Sequence, residues 1–561
     1  MERYLTIANK KEILGTIDDM TDIVIPDGVT WIDSNVFAGC TTLRSVVTPD
    51  SLTYIGAKAF SGCISLQKIV ISKNVKSIGS FAFNGCSSLR CLNLPIELSE
   101  IGNNSFSNCS SLQEVIFSKN LKTIGLSAFE GCSSLIRAEI PQRVERIGSC
   151  AFKGCSSLRY IDIPNRITEI QYATFEGCSS IEYLDLPNSV DVIDDNAFKG
   201  CTSLTSIDLP ESIKEIGLSA FFGCTSLRYI DLPKSIKTVG EHAFAQCTSL
   251  LQVNVSLENQ FFTSVNGVLY NKDMTQLIRV PSLTEISEFR IPRSVVRIKA
   301  QAFNNCVNIQ KISIPDSVIA IGVAAFMDCS SLMSIDIPEK VNTINSYTFD
   351  GCASLKNISL KNQRLKIEEC AFRGCSSLEN INIPTFSFKI ADRAFSKCTS
   401  LKFIDVQNVG ILGLNVFNGC TSLAKINVSQ ENKAYCSLDG VLYNKSLTTL
   451  VKFPSKLDIS VYSISKGVEC IKDFAFEESL YLQSLSIPNT VKEICEHAIS
   501  DCKSLKSIYI NITDLSECNI KESAIHNLDF DACVLFVPSG TRWAYRHHKA
   551  FKNFKNIEIL R

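Results

Sequence analysis

Apolar residues recur along this chain on a fixed register. From Leu204 the run SLTSIDLPESIKEIGLSAFFGC sets Leu204, Ile207 and Leu209 in a Leu-x-x-Ile-x-Leu pattern. Ile207 and Leu209 alternate with Ser206 and Asp208, which predicts a strand with one face inward. Pro210 ends that strand, because proline brings no N–H to a ladder. Ile213 and Ile216 turn back toward a core, and Gly217 permits a bend. Ser219 to Cys224 then reads as a short helical turn that inserts Phe221. Gly223 supplies the positive φ needed to leave it.

The same unit returns every 23 residues. Ten cysteines mark the period, from Cys40, Cys63 and Cys86 through Cys224 and Cys247, each three residues after a phenylalanine. A fixed period of this length predicts a solenoid, in which each coil buries its apolar face against the next. One side is expected to be a curved parallel sheet and the other a row of short helical or 3₁₀ turns, an α/β solenoid. Its phenylalanines should then stack as a spine. That spine runs through Phe37, Phe60, Phe83, Phe106, Phe129, Phe152, Phe175, Phe198, Phe221 and Phe244. It resumes at Phe303, Phe326, Phe349, Phe372, Phe395 and Phe417.

The period breaks twice, and the breaks match. Cys247 to Cys306 and Cys420 to Ser479 both span 59 residues, and the inserted segments are kin: NVSLENQFFTSVNGVLYNKDMTQLIRVP and NVSQENKAYCSLDGVLYNKSLTTLVKFP. Asn266-Gly267 and Asp439-Gly440 predict type I′ hairpin turns, so each insert is expected to be a small antiparallel meander projecting from the solenoid. The domains expected are an N-terminal cap (1–20), a first repeat block (21–253), an insert (254–281), a second block (282–426), a second insert (427–454), a third block (455–532) and a C-terminal cap (533–561). The first cap carries Tyr4, Leu5, Ile7, Ile13, Leu14 and Ile17 in strand-like patterns. The last is expected as a strand, a Pro-Ser-Gly turn, an aromatic helix from Thr541 and a final strand over 557–560.

The repeated Ile-Gly-x-x-Ala-Phe-x-Gly-Cys-x-Ser-Leu-x-x-Ile-x-Ile-Pro core, the Asp-Gly-Val-Leu-Tyr-Asn hairpins and the Val-Pro-x-Gly-Thr…Ala-Tyr end segment resemble the BspA-type leucine-rich repeat family, bacterial members most. The resemblance implies a leucine-rich repeat solenoid that binds proteins at a cell surface or after secretion, often in adhesion. It brings no catalytic motif.

Composition narrows the chemistry. With 56 basic and 57 acidic residues the chain has no electrostatic footprint for nucleic acid. No apolar run is long enough to span a bilayer. The start, MERYLTIANKKEILG, carries Glu2, Arg3, Lys10, Lys11 and Glu12 and no apolar core, so it is not expected to be a secretory signal; the cytoplasm is the alternative location. Seventeen of the 25 cysteines occupy the ladder position, which predicts buried free thiols acting as small apolar residues. There are only five histidines and no Cys-x-x-Cys, so neither metal nor cofactor is expected. His547 and His548 read as part of a solvated helix face. No phosphate loop or nucleophile motif occurs, and an enzyme is not expected.

The informative positions point outward from the strands. Asp162, Asp185, Asp208 and Asp231 share one register, extended by Glu139, and two residues earlier stand Tyr160, Tyr183, Ser206 and Tyr229. Residues two apart on a strand share a face. Neighbouring carboxylates about 5 Å apart repel by about 1–3 kcal/mol at effective dielectrics of about 80 to 20. Either Arg159, Arg228 and nearby hydroxyls compensate this row locally, or it is a concave patch for a protein partner with basic groups. Ca²⁺ fits less well, since strands wrap no oxygen cage around it. An intracellular scaffold or host-directed effector and a carbohydrate-binding module are the competing functions.

Overall fold

Each coil has three sides, and all three are hydrogen-bonded to the next coil. In the computed structural model, which describes residues 3–6, 8–9 and 21–560, the first side of one coil is the strand Ser206–Asp208, with only Ile207 inward. A turn closed by the Ile213 N–H on the Pro210 carbonyl (3.1 Å) leads to the second side, the two-residue strand Glu215–Ile216. The third side is the phenylalanine turn. Ser206–Asp208 pairs in parallel with Tyr183–Asp185, and Glu215–Ile216 with Val192–Ile193, each 23 residues back.

The sheet of two-residue strands is not visible in the sequence. Two residues are too few for a period-2 alternation, so Ile213 and Ile216 read only as a return toward the core. Gly217 also has a different reason from the bend assigned to it. A Cβ there would lie 2.5 Å from Asp195 N and 2.6 Å from Asp194 C, so glycine is required by the close approach of the preceding coil. Leu209 is only half-buried and Pro210 takes the inward place beside it.

A leucine-rich repeat solenoid forms, and it is nearly all parallel strand. The phenylalanine turns make 3₁₀-type i→i+3 bonds, such as the Cys201 N–H on Phe198 O at 3.1 Å, but do not run on into helix. The reason is a left-handed residue every fourth position: Asn196 at φ 56° and Gly200 at φ 72°. Alternate N–H groups instead reach the next coil, from Asn196, Phe198 and Gly200 to the carbonyls of Leu218, Ala220 and Phe222 at 2.8–2.9 Å. Among the described residues helix is confined to Leu515–Glu517 and Arg542–His547.

The chain forms two units, Met1–Asp273 with Arg279–Leu283, and Met274–Ile278 with Thr284–Arg561. In the first, the phenylalanines from Phe37 to Phe244 stack at centroid separations of 4.9–5.9 Å. In the second, Phe303 to Phe417 do so at 5.1–6.3 Å. Beside each spine runs the cysteine ladder. Cys155, Cys178, Cys201 and Cys224 are fully buried. Their thiols are more than apolar filler, because each donates to the carbonyl of a phenylalanine in the preceding coil at 3.1–3.2 Å.

Both inserts contain the expected hairpin. Phe262–Val265 pairs antiparallel with Val268–Asn271, and Tyr435–Leu438 with Val441–Asn444. The turn residues have positive φ: Asn266 51°, Gly267 77°, Asp439 50° and Gly440 85°. The second insert does not simply project. Its third strand, Thr449–Lys452, pairs antiparallel with Val441–Asn444 and in parallel with Cys470–Ile471, so it enters the sheet of short strands. Each insert is fastened by a buried asparagine that no local spacing marks. Asn259 Nδ2 donates to Pro233 O and Ile236 O, and its Oδ1 accepts from the N–H groups of Phe261 and Phe262. Asn432 does the same with Gln407, Val409, Ala434 and Tyr435.

At the start of the chain, Tyr4 and Leu5 lie in the strand Arg3–Leu5, paired with Val29–Ile32; Ile7, Ile13, Leu14 and Ile17 lie outside the described residues. At the end, Val534–Val537 and Asn556–Ile559 continue the first-side sheet. The helix between them buries Tyr545, whose hydroxyl donates to Ile512 O at 2.8 Å.

Candidate binding face

The outward face of the first-side sheet in the first unit holds every candidate residue. Tyr160–Asp162, Tyr183–Asp185, Ser206–Asp208 and Tyr229–Leu232 each bury a central isoleucine or leucine and turn the flanking residues out. The parallel register sets Glu139 opposite Asp162, Asp185 opposite Asp208, and Asp231 opposite Asn254. Two residues earlier, Arg137 stands opposite Tyr160, Tyr183 opposite Ser206, and Tyr229 opposite Gln252. Tyr160, Tyr183 and Tyr229 are 46–51% exposed, a large area for aromatic side chains with no cover.

Charge in the row is moderated mainly by hydroxyl and amide groups. The Tyr160 hydroxyl donates to Asp162 Oδ1 at 2.6 Å, and that of Tyr183 to Asp208 Oδ2 in the next coil at 2.9 Å. These hydrogen bonds to carboxylates push both phenols above their ordinary value. Asn254 Nδ2 donates to Asp231 Oδ1 at 2.7 Å, and Arg137 pairs with Glu139. The Asp185 carboxylate makes no hydrogen bond or ion pair among the described residues. The compensation expected from Arg159 and Arg228 does not occur, since neither pairs with the row among the described residues; hydroxyls supply the local part.

Toward the start of the chain the aspartate register turns apolar. Val24, Val47, Val70 and Ile116 occupy it and are 40–72% exposed, with Asn93 between them. The face therefore grades from an apolar row to an acidic one.

His547 is exposed, its Nδ1 2.9 Å from Trp543 O, and His548 is half-buried with its pKa lowered by that burial. In the second unit a cleft lined by Leu412, Tyr435, Lys452 and Phe474 buries a cation: Lys452 Nζ donates to Phe474 O at 2.7 Å and lies 3.9 Å from Glu477 Oε2. Burial lowers the Lys452 pKa, and Glu477 opposes that shift. Among the described residues no helix is long and apolar enough to cross a membrane.

The profile of the BspA type leucine-rich repeat region, in 6 copies, matches residues 14–136, 122–251, 281–384, 343–463 and 451–540. The chain belongs to the BspA-type leucine-rich repeat family. No curated protein is similar to it. Among solved structures, a leucine rich cell surface protein from Faecalibacterium prausnitzii is similar at 26% identity, over 74% of this chain and 89% of its own, with a TM-score of 0.40. A leucine-rich repeat protein from Bacteroides ovatus is similar at 24% identity, over 73% and 88%, with a TM-score of 0.36. A leucine rich repeat protein from T. pallidum is 27% identical over 37% of this chain and 78% of its own, with a TM-score of 0.24.

Proposed function

We propose that this repeat protein is a non-enzymatic binding scaffold that holds a basic protein segment on the face formed by Tyr160, Asp162, Tyr183, Asp185, Asp208, Tyr229 and Asp231. The observation that carries this reading is the exposed acidic row beside exposed tyrosines. Hydroxyls temper the row, but the Asp185 carboxylate has no side-chain partner among the described residues. Tyrosine offers rigid contact area at low entropy cost, and the carboxylates set orientation and speed of association. The apolar row ahead of it suits a partner whose basic stretch is flanked by apolar residues. Family membership supports a location at the bacterial surface or outside the cell for such a scaffold, with adhesion or host contact as its role.

The test uses a labelled lysine- and arginine-rich peptide with interspersed leucines. Asp185→Asn, Asp208→Asn and Tyr183→Ser together should weaken its binding by about tenfold, as two exposed charges at about 0.5–1 kcal/mol each imply. Binding to wild type should fall as salt rises. A triple variant that folds and binds as tightly as wild type at low salt would remove the face from consideration. Glycan binding without peptide binding would favour the carbohydrate reading.

A further inference from the structure

Two thiols outside the 23-residue ladder stand side by side in the second unit. Cys470 opens the short strand Cys470–Ile471, Glu493 opens Glu493–Ile494 in the next coil, and the parallel register sets the two opposite each other. Cys495 follows Glu493 by two residues and so falls on the same face. Cys470 Sγ lies 3.4 Å from Glu493 Oε2, and one ligand atom from each of the three residues lies within 4.8 Å of the other two.

Packing does not account for these cysteines. The core ladder of these coils is supplied by Ser479 and Cys502, both buried. Position 495 is where Gly217 and Gly322 stand in their own coils, and there a Cβ would lie within 2.6 Å of the neighbouring backbone. Here a thiol replaces the glycine and is only 9% exposed. Lys472 and Asp473 flank the group with opposite charges.

We propose that Cys470, Glu493 and Cys495 bind a zinc-like divalent cation through two thiolates and one carboxylate, with solvent in the fourth position. Tetrahedral zinc, with bonds of about 2.3 Å to sulfur and about 2.1 Å to oxygen, needs ligand edges of about 3.6–3.8 Å, a small adjustment from the present spacing. Thiolates select zinc-like ions over Ca²⁺ and Mg²⁺. The ion would clamp two successive coils, and its entry would release thiol protons. This site is independent of the binding face.

The test is Co²⁺ titration of the full chain, fully reduced and stripped of metal, under anaerobic conditions. One equivalent should produce thiolate-to-cobalt charge-transfer and tetrahedral d–d absorption, abolished by Zn²⁺. The Cys470→Ser/Cys495→Ser variant should lose both bands, whereas Cys91→Ser, at an exposed thiol outside the ladder, should keep them. Glu493→Gln leaves both thiols in place and should weaken Co²⁺ by at least about tenfold, which keeps the test sharp should the double variant misfold. No thiolate–cobalt absorption in wild type, bands that persist in a folded double variant, or an unchanged affinity in Glu493→Gln would each overturn the site. A Cys470–Cys495 disulfide in protein handled in air, with no Co²⁺ uptake after reduction, would overturn it in favour of a cystine.

Discussion

Phe198→Ala probes the principle on which the fold rests, that each coil is stable only through its neighbours. Phe198 is fully buried. Its ring stacks on Phe175 at 5.5 Å and 13° and on Phe221 at 5.3 Å and 11°, so both faces are covered. Truncation removes the transfer free energy of the ring and leaves a cavity, about 3–5 kcal/mol together. Two stacking partners, each worth about 0.5–1.5 kcal/mol beyond burial, place the expected loss in the upper part of that range. The backbone limits collapse, because the Phe198 N–H and carbonyl are tied to Ala220, Cys201 and the Cys224 thiol. Damage should therefore spread along the stack to neighbouring coils. Urea denaturation gives the loss in stability, and hydrogen exchange should show the amides of Ala197 to Gly223 opening first. A loss below about 1 kcal/mol, the scale of surface substitutions, or exchange confined to one coil, would show that the coils do not depend on this ring.

Other predictions concern the thiols and the insert asparagines. Burial pushes the Cys201 thiol from its ordinary 9.0 up to about 12, and Cys247 likewise to about 12. The folded state thus holds these protons more tightly than the unfolded chain. Their contribution to stability is whole below about pH 9 and is lost as pH rises toward 12; melting temperature should fall across that window, and a flat profile would contradict it. Cys155, Cys178, Cys201 and Cys224 should resist a thiol reagent in the native protein and react after denaturation, whereas several bridges among them in non-reducing mass analysis would show otherwise. Asn432→Ala strips partners from two N–H groups and two carbonyls, and should cost about 2–4 kcal/mol in urea denaturation; a neutral result would mean that water replaces the amide.

The coil and its inward positions are written in the residue spacing alone. A residue buried in one coil must meet the same residue in the next, so phenylalanine, cysteine, leucine and isoleucine are all repeated at one spacing and can be read by eye. The two hairpins were legible for an equally local reason, the positive φ demanded of Asn266-Gly267 and Asp439-Gly440. The Asp/Tyr face was legible as a register, because outward positions inherit the same spacing. Its electrostatics were not: whether Tyr183 or an arginine meets Asp208 depends on side-chain reach between coils, which no spacing encodes. The short-strand sheet, the glycine at 217 and the Asn432 fastener also needed the tertiary structure, since each exists only where one coil's backbone approaches another's. The same holds for Cys470, Glu493 and Cys495. The 23-residue period sets Glu493 opposite Cys470, but Cys495 lies just past the short strand Glu493–Ile494, and only the tertiary structure brings the three ligand atoms together.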